Sequence, residues 1–146
     1  SYTSIGKILI KKKYLNKNDV NLFTIKKWLR ENPLLSKEIL HHNKRFIFFK
    51  EMPFATDKQP VGAFGIPLAA DFSVAVDKNI YPLGLPFFIQ IEKNESILPV
   101  ISLDTGGAIV GPNRADLFFG RGEVAEKKAG VLKKKIYLHA FIPYSN

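Results

Sequence analysis

Apolar positions in the first part of the chain repeat at helical spacing. Three of them stand at positions i, i+3 and i+7 and so share one face of a predicted helix: Leu22, Ile25 and Leu29. We expect Asn18 or Asp19 to cap the start of this helix, because short polar side chains satisfy its first backbone N–H groups. Pro33 is expected to end it near residue 32.

Two further elements flank that helix. A short strand is predicted over residues 7–10, and Ser36 is a candidate cap for a second short helix that reaches about residue 43. The outer faces of these elements are polar. Residues 1–45 are therefore expected to form a small helical segment, separate from the rest of the chain.

After residue 45 the pattern changes to short β-branched and aromatic runs bounded by Gly, Pro and Asn. Six strands are predicted, over residues 46–52, 73–77, 86–92, 99–104, 115–119 and 135–142. So many short strands in about 100 residues are typical of a closed barrel or a sandwich. Residues 46–146 are therefore expected to be one mainly β domain.

One helix is predicted within this β domain, over residues 122–129. Glu123 lies near its positive end, whereas Lys127 and Lys128 lie near its negative end, so each charge is placed where the helix dipole stabilises it. Gly130 is expected to terminate the helix, because glycine readily takes the left-handed conformation of a C-terminal cap.

Composition narrows the class of protein. Hydrophobic residues make up 46% of the 146 positions and charged residues 24%, so the chain can bury enough apolar surface to fold. There is no cysteine, which excludes disulfides and thiolate chemistry. No stretch approaches the roughly 20 apolar residues of a membrane-spanning helix, and any export signal would lie outside this sequence.

The net charge of +9, from 22 Lys+Arg against 13 Asp+Glu, predicts attraction to polyanions such as nucleic acid, anionic lipid or an acidic cell wall. Only four of the basic residues are Arg, whose forked geometry specific nucleic-acid readers favour, so specific DNA recognition is disfavoured. Two lysine runs, residues 11–13 and 133–135, are candidate polyanion contacts, although such runs are more often solvated surface.

The most unusual segment for chemistry covers residues 103–116. An apolar strand ends on Asp104, and Gly106 and Gly107 follow, which permit close backbone approach to a ligand. A hairpin-like return then brings Asp116 to the start of the next strand, while Asp77 ends a third strand in the same manner. Two neighbouring carboxylates suit glycosidic cleavage, in which one must stay protonated at neutral pH. From spacing alone, aspartates that merely cap turns remain the more common case.

The other candidate groups are weaker. His41 and His42 are adjacent and His139 stands alone, so neither a catalytic triad nor a metal site is predicted. Trp28 is expected in the core rather than as a platform for sugars. Gly106 and Gly107 do not form a phosphate-binding loop, because no Gly-Lys-Ser/Thr follows them.

Seven motifs occur in the same order in the membrane-bound lytic murein transglycosylase A family, which this chain resembles over essentially its whole length. They are YTSIG at 2–6, FFK at 48–50, GIPL at 65–68, SVAVD at 73–77, IYPLG at 80–84, DTGGAI at 104–109 and RADLFFG at 114–120. Several ordered motifs are far more specific than any one alone. One departure is Val110, which stands where relatives often have lysine.

The resemblance implies a six-stranded double-psi β-barrel with a short helical N-terminal segment and one helix near the C-terminus. Its core, residues 73–130, resembles the three-aspartate domain, whose carboxylates would be those of Asp77, Asp104 and Asp116. Residues 1–45 resemble the tail of the family's inserted second domain. The family assembles its barrel from segments on both sides of that insertion, so an N-terminal segment of the same protein is expected to complete it.

The resemblance also implies a reaction: cleavage of the β-1,4 bond between N-acetylmuramic acid and N-acetylglucosamine in peptidoglycan, with formation of 1,6-anhydro-muramyl ends. Asp116 would be the acid and base, and Asp104 would favour its protonated form or orient it. Six further residues are expected at the substrate site, of which Asp77 would be structural or peripheral to the groove: Asp77, Thr105, Gly106, Gly107, Ala108 and Arg114. No cofactor and no metal are needed.

The implied location is the periplasm, at the outer membrane through an anchor outside this sequence, with peptidoglycan strands as partner and no nucleic acid expected. Two alternatives stay open. One is a non-catalytic β-barrel that binds polyanions or glycans, and the other is a β-1,4-glycanase that uses water as its nucleophile.

Overall fold

A computed structural model describes residues 3–45, 47–48, 59–92 and 97–144. The chain divides into two compact units, Ser1–Glu51 and Met52–Asn146, which we call the helical unit and the sheet unit. In the described part of the chain, no helix has the length and apolar character needed to cross a membrane.

The helical unit contains α1 (Ile5–Lys11), α2 (Leu22–Glu31) and α3 (Pro33–His41). The predicted strand over residues 7–10 is wrong, because these residues lie within α1. Ser4 caps this helix by accepting a hydrogen bond from the Lys7 amide at 3.4 Å. The short apolar run buries Ile8 and Leu9 on one helical face, and a run of that length does not distinguish a buried strand from a buried helix.

The predicted caps of the next two helices are also wrong. Asn21, rather than Asn18 or Asp19, caps α2, and its side-chain oxygen accepts the amides of residues 23 and 24 at 2.9 and 3.0 Å. Pro33 follows α2 as expected, but it is also the first residue of α3. Ser36 lies inside α3, where its hydroxyl donates to the carbonyl oxygens of residues 29 and 32.

A small apolar core holds the helical unit together, and it consists of Ile8, Leu9, Trp28 and Ile39. Trp28 is buried, as predicted, and its ring stacks on that of Tyr14 with 4.9 Å between centroids. An ion pair between the Lys12 Nζ and the Glu38 Oε1, 2.7 Å long, joins the end of α1 to α3.

The sheet unit contains β1 (Ser73–Val76), β2 (Pro86–Ile91), β3 (Ile97–Thr105), β4 (Asp116–Leu117), α4 (Gly122–Val131) and β5 (Ile136–Ala140). Among the described residues these strands form one five-stranded sheet in the order β4-β1-β3-β2-β5. β1 and β3 are parallel, and the other neighbouring strands are antiparallel. The result is a mixed, half-barrel sheet.

Five of the six predicted strands are confirmed, although β4 is shorter than expected and β3 begins earlier. The predicted strand over 46–52 lies mostly outside the described residues; Ile47 and Phe48 are described, and both are exposed and outside any strand. The closed barrel therefore stays a prediction. The helix near the C-terminus is confirmed, but Gly130 lies within α4 instead of terminating it.

The core of the sheet unit follows the alternation of its strands. Phe87 and Ile89 of β2 point into the core, whereas Phe88 between them is more exposed. Three further buried side chains complete the cluster: Val74, Val76 and Val100. This core supports β1, the strand around which the candidate site is built.

Candidate active site

The site is built around Ala75 in the middle of the sheet. Ala75 on β1 pairs with Asp104 on β3 and also with Asp116 on β4. Directly paired residues share a face of a sheet, and neighbouring strands lie about 4.8 Å apart, so the two aspartate Cα atoms are roughly 10 Å apart on one face. The prediction that Asp104 and Asp116 lie near each other is thus met, but not by a hairpin, because β1 lies between their strands.

A pocket of about 280 Å³ opens between the two aspartates. Its wall combines these two polar groups with apolar side chains, and the lining residues include Asp104, Thr105, Ile109, Asp116 and Phe118. A carboxyl group beside an apolar wall and a second carboxyl group is the arrangement that acid catalysis of glycosidic cleavage requires.

A loop covering residues 59–68 holds Asp104 from one side. The Ala63 amide donates to the Asp104 Oδ1 at 3.0 Å, and the Phe64 amide donates to the Leu103 carbonyl at 3.0 Å. Gly62 permits this approach, because a Cβ at that position would stand 2.3 Å from the Leu103 carbonyl oxygen. Neither Gly62 nor Ala63 was predicted as a site residue, although the GIPL motif at 65–68 lies close to both.

Arg114 contacts Asp116 directly. Its Nε and Nη2 donate to the two carboxylate oxygens of Asp116 at 3.2 and 3.3 Å, since residues two apart on an extended chain face the same side. The side chains of Arg114 and Asp116 are 48% and 52% exposed. An ion pair this accessible to water is worth only about 0.2–1 kcal/mol, so another group can displace the arginine at little cost.

Asp77 lies just after β1 and outside the pocket. Only 6% of the residue is exposed, and its Oδ2 accepts the Gly111 amide at 2.9 Å while its Oδ1 accepts the Asn79 amide at 3.0 Å. These donors, Gly111 first, hold the pKa of the Asp77 carboxyl below its usual range, against the opposing effect of burial. Both oxygens of Asp77 are thus engaged by backbone.

The remaining predicted site residues divide into two groups. Thr105 lines the pocket, although its hydroxyl donates to the Val76 carbonyl at 2.9 Å. The turn that follows is closed by a hydrogen bond from the residue 109 amide to the residue 106 carbonyl, and its members are not among the pocket's lining residues: Gly106, Gly107 and Ala108. Val110 is 70% exposed next to this turn.

Within the described ranges, no group of three His, Asp or Glu side chains lies close enough to hold a metal ion.

The two units match two family models. Residues 72–141 match the model described as the 3D domain, and residues 1–50 match the model described as the MltA specific insert domain. The sheet unit thus contains a 3D domain. Together, these two matches show that the chain belongs to the membrane-bound lytic murein transglycosylase A family, as the seven motifs indicated.

Relatives support the same conclusion. Membrane-bound lytic murein transglycosylase A of Vibrio cholerae is 36% identical over 143 residues, which are 91% of this chain and 38% of the relative. The Escherichia coli K12 protein of the same name is 32% identical over 140 residues, which are 89% of this chain and 37% of the relative. The chain therefore spans well under half the length of these relatives.

Solved structures agree in fold. The membrane-bound lytic murein transglycosylase of Agrobacterium tumefaciens superposes with a TM-score of 0.86 at 33% identity, over 97% of this chain and 40% of that one. The E. coli protein with bound chitohexaose superposes with a TM-score of 0.83 at 28% identity, over 97% of this chain and 44% of that one.

Proposed function

We propose that this chain carries the catalytic carboxylates of a peptidoglycan lytic transglycosylase. The observation that supports the proposal most directly is the placement of Asp104 and Asp116 on either side of Ala75, facing one pocket. Relatives of this name and a neighbour that binds a β-1,4-linked oligosaccharide support the substrate class. The whole protein's activity is proposed on these grounds.

In the proposed reaction, Asp116 acts in turn as acid and base. Its protonated carboxyl donates to the glycosidic oxygen as the bond from that oxygen to C1 of N-acetylmuramic acid breaks. The resulting carboxylate takes the proton of the same sugar's 6-hydroxyl, whose oxygen bonds to C1. The products are a 4-hydroxyl end and a 1,6-anhydro end, with Asp116 protonated again and no water consumed.

Arg114 contacts Asp116 before substrate arrives in this scheme. Its guanidinium donates to both carboxylate oxygens of Asp116. Because the pair is half exposed, a sugar hydroxyl or a peptide carboxylate can draw Arg114 away at little cost. Arg114 then contacts substrate while Asp116 takes up its proton.

Asp104 has a different role, because it is less exposed and is held by the Ala63 amide. A fixed negative charge across the pocket favours the protonated form of Asp116 once Arg114 has moved. Asp104 therefore assists the acid rather than transferring the proton itself.

Closure of the barrel is the structural part of the proposal. A groove of about 630 Å³ lies along the sheet, and apolar side chains form much of its floor: Ile89, Ile91, Leu98, Leu117 and Ile136. A strand from a segment of the same protein outside the described residues would cover such a floor and complete a six-stranded double-psi barrel. We also propose a periplasmic location at the outer membrane, because the relatives are named as membrane-bound.

The test is mass spectrometry of muropeptides released from purified sacculi by three forms of the protein: unmodified, Asp116→Asn and Asp104→Asn. We expect 1,6-anhydro ends from the unmodified form, at least a 1,000-fold loss in Asp116→Asn and a smaller, roughly 10- to 100-fold loss in Asp104→Asn. Asp71→Asn is the matched control, because Asp71 is exposed and outside the pocket.

Each alternative predicts a distinct result. Reducing ends in place of anhydro ends would identify a hydrolase, since water would then have attacked C1. Binding to sacculi without products from the unmodified form would identify a glycan-binding module. Equal, complete loss in the Asp104 and Asp116 variants would contradict the ranking of the two residues.

A further inference from the structure

The position of Asp116 depends on a long excursion of the chain. The backbone leaves β3 at Thr105 and returns to the sheet at Asp116, the first residue of β4. β4 is only 2 residues long, and it pairs with β1 through Val74 and Ala75. Because a strand of this length forms few backbone hydrogen bonds, its pairing alone fixes its register weakly. The contacts that hold the excursion therefore also position Asp116 and Arg114.

The first attachment of the excursion is Asp77. Its Oδ2 accepts the Gly111 amide at 2.9 Å, and its Oδ1 accepts the Asn79 amide at 3.0 Å, in the turn that follows β1. Gly111 has a φ of 101°, a conformation that suits glycine and points its amide toward the carboxylate. One buried carboxylate thus joins the turn after β1 to the middle of the excursion.

The second attachment is Tyr81. Its hydroxyl donates to the Pro112 carbonyl at 2.8 Å, and its ring packs edge-on against the buried Phe87 with 5.1 Å between centroids. The Tyr81 amide donates to the Asp77 carbonyl at 2.9 Å, so the two attachments share one turn. The excursion is therefore held at two consecutive residues, Gly111 and Pro112, by a turn that is itself packed against the core.

We propose that Asp77 and Tyr81 are positioning residues that fix residues 111–112 and thereby set where Arg114 and Asp116 face the pocket. The inference rests on the proposed function. It also assigns different roles to the three aspartates: two face the pocket, and Asp77 holds the backbone that delivers one of them. In this proposal Asp77 contacts no substrate. Tyr81 is a further positioning residue of the site, in addition to the three aspartates.

The test combines kinetics with amide hydrogen exchange in Asp77→Asn and Tyr81→Phe. An asparagine presents one acceptor and one donor, so at least one of the two amides that Asp77 binds loses its partner. Tyr81→Phe keeps the ring and removes only the hydroxyl. We expect kcat for anhydro-muropeptide release to fall about 100-fold in Asp77→Asn and about fivefold in Tyr81→Phe, with KM within about twofold of the unmodified protein.

Hydrogen exchange distinguishes a local role in holding residues 111–112 from a general loss of stability. The Gly111 amide should exchange faster in both variants, including Tyr81→Phe, which removes no contact to that amide, while the Val100 amide in the core should stay protected. Asp71→Asn and Tyr137→Phe, at exposed positions in the same unit, are the matched controls and should leave kcat and exchange unchanged.

Two results would overturn the proposal. A rise in KM with kcat unchanged would mean that Asp77 or Tyr81 binds substrate, and a fall in kcat with Gly111 exchange unchanged would mean that neither holds the excursion. If the unmodified protein makes no anhydro products, the proposed function fails, but the exchange measurement still tests the two attachments. Loss of Gly111 protection in both variants would support their role in holding residues 111–112, and unchanged protection would reject it.

Discussion

The helical unit and the sheet unit differ most in charge. Ser1–Glu51 holds 12 Lys+Arg against 4 Asp+Glu, a net charge of +8, whereas Met52–Asn146 holds 10 against 9, a net charge of +1. Asp77, Asp104 and Asp116 all lie in the nearly neutral unit. Under the proposed function, attraction to an anionic cell wall would belong to the helical unit and bond cleavage to the sheet unit, so the overall charge of +9 says little about the candidate site.

The two units also differ in how they are held together. The helical unit depends on signals that are local in sequence, such as the Asn21 cap, plus a small core around Leu9 and Trp28. The sheet unit depends on contacts between distant residues, of which the bond from the Ala63 amide to Asp104 is one. We therefore expect substitutions to act on one unit at a time.

Leu9→Ala is the substitution with the largest expected effect on stability. Leu9 is 0% exposed in the core of the helical unit, so its truncation should cost that unit about 2–5 kcal/mol. Leu34→Ala is the matched control, because Leu34 is 92% exposed and its truncation should change stability by less than about 0.5 kcal/mol.

The single tryptophan makes this measurement specific. Trp28 lies in the helical unit, so its fluorescence during urea unfolding follows that unit, while amide signals of β2 and β3 follow the sheet unit. Leu9→Ala should shift the transition reported by Trp28 fluorescence and leave the transition reported by the β2 and β3 amides in place. Equal shifts of both transitions would show that the two units unfold together, and the comparison drawn above would fail.

Two buried glycines, one in each unit, give the next largest contrast. A Cβ on Gly62 would meet the Leu103 carbonyl oxygen at 2.3 Å, and a backbone atom cannot move aside, so Gly62→Ala should cost the sheet unit about 1–3 kcal/mol. A Cβ on Gly6 would meet only side chains, of Val20 and Ile25, at 3.1 and 3.2 Å. Gly6→Ala should therefore stay within about 1 kcal/mol, because alanine's better helix propensity offsets the crowding. Thermal unfolding of both variants measures these losses, and equal losses of stability in Gly62→Ala and Gly6→Ala would contradict the prediction.

The elements that the sequence predicted well are those with a clear period. The β-branched and aromatic run over residues 86–92 predicted β2, and the charges at both ends of residues 122–129 predicted α4. Failures fell where two interpretations fit one pattern: the apolar run in α1 suits a strand or a buried helix, and Asn18, Asp19 and Asn21 are all competent caps.

The site was predicted in part for a similar reason. A strand followed by a glycine turn marked Asp104 and Asp116, and their proximity holds, but sequence order suggested a hairpin where β1 stands between the two strands. The roles of Ala63 and Tyr81 were not predicted, although Tyr81 belongs to the IYPLG motif, because one acts through its backbone amide and the other through a hydroxyl bonded 31 residues away. Contacts of that range leave no period in the sequence.

Acid should weaken the sheet unit more than the helical unit. The pKa of Asp77 is lowered from its ordinary 3.8, so its contribution to stability is complete above that value and is lost as the pH falls through the lower, folded-state pKa. Glu38 also has a lowered pKa, chiefly from its hydrogen bond with Lys12, but its side chain is 57% exposed and its contribution is smaller.

Thermal unfolding followed from about pH 6 to about pH 2 measures this difference. Asp77→Asn should be less stable than the unmodified protein near neutral pH and should lose less stability in acid. Glu38→Gln, the control in the helical unit, should change neither by much. If Asp77→Asn kept the full acid dependence of the sheet unit, another carboxyl group would be responsible for it.

The smallest expected effect concerns the two lysine runs, which are matched in composition but lie in different units. Lys12 and Lys135 are ion-paired, so the informative variants are Lys11→Gln with Lys13→Gln, and Lys133→Gln with Lys134→Gln. The first pair lies in the unit of net charge +8 and the second in the unit of net charge +1. If overall charge attracts the protein to the cell wall, the first double variant should weaken binding to sacculi by about threefold at low salt, and the difference should vanish near 1 M salt. Lys133 and Lys134 line the groove that also includes Asp116, so a larger loss from the second double variant would place the attraction at the groove and remove the division of labour between the two units.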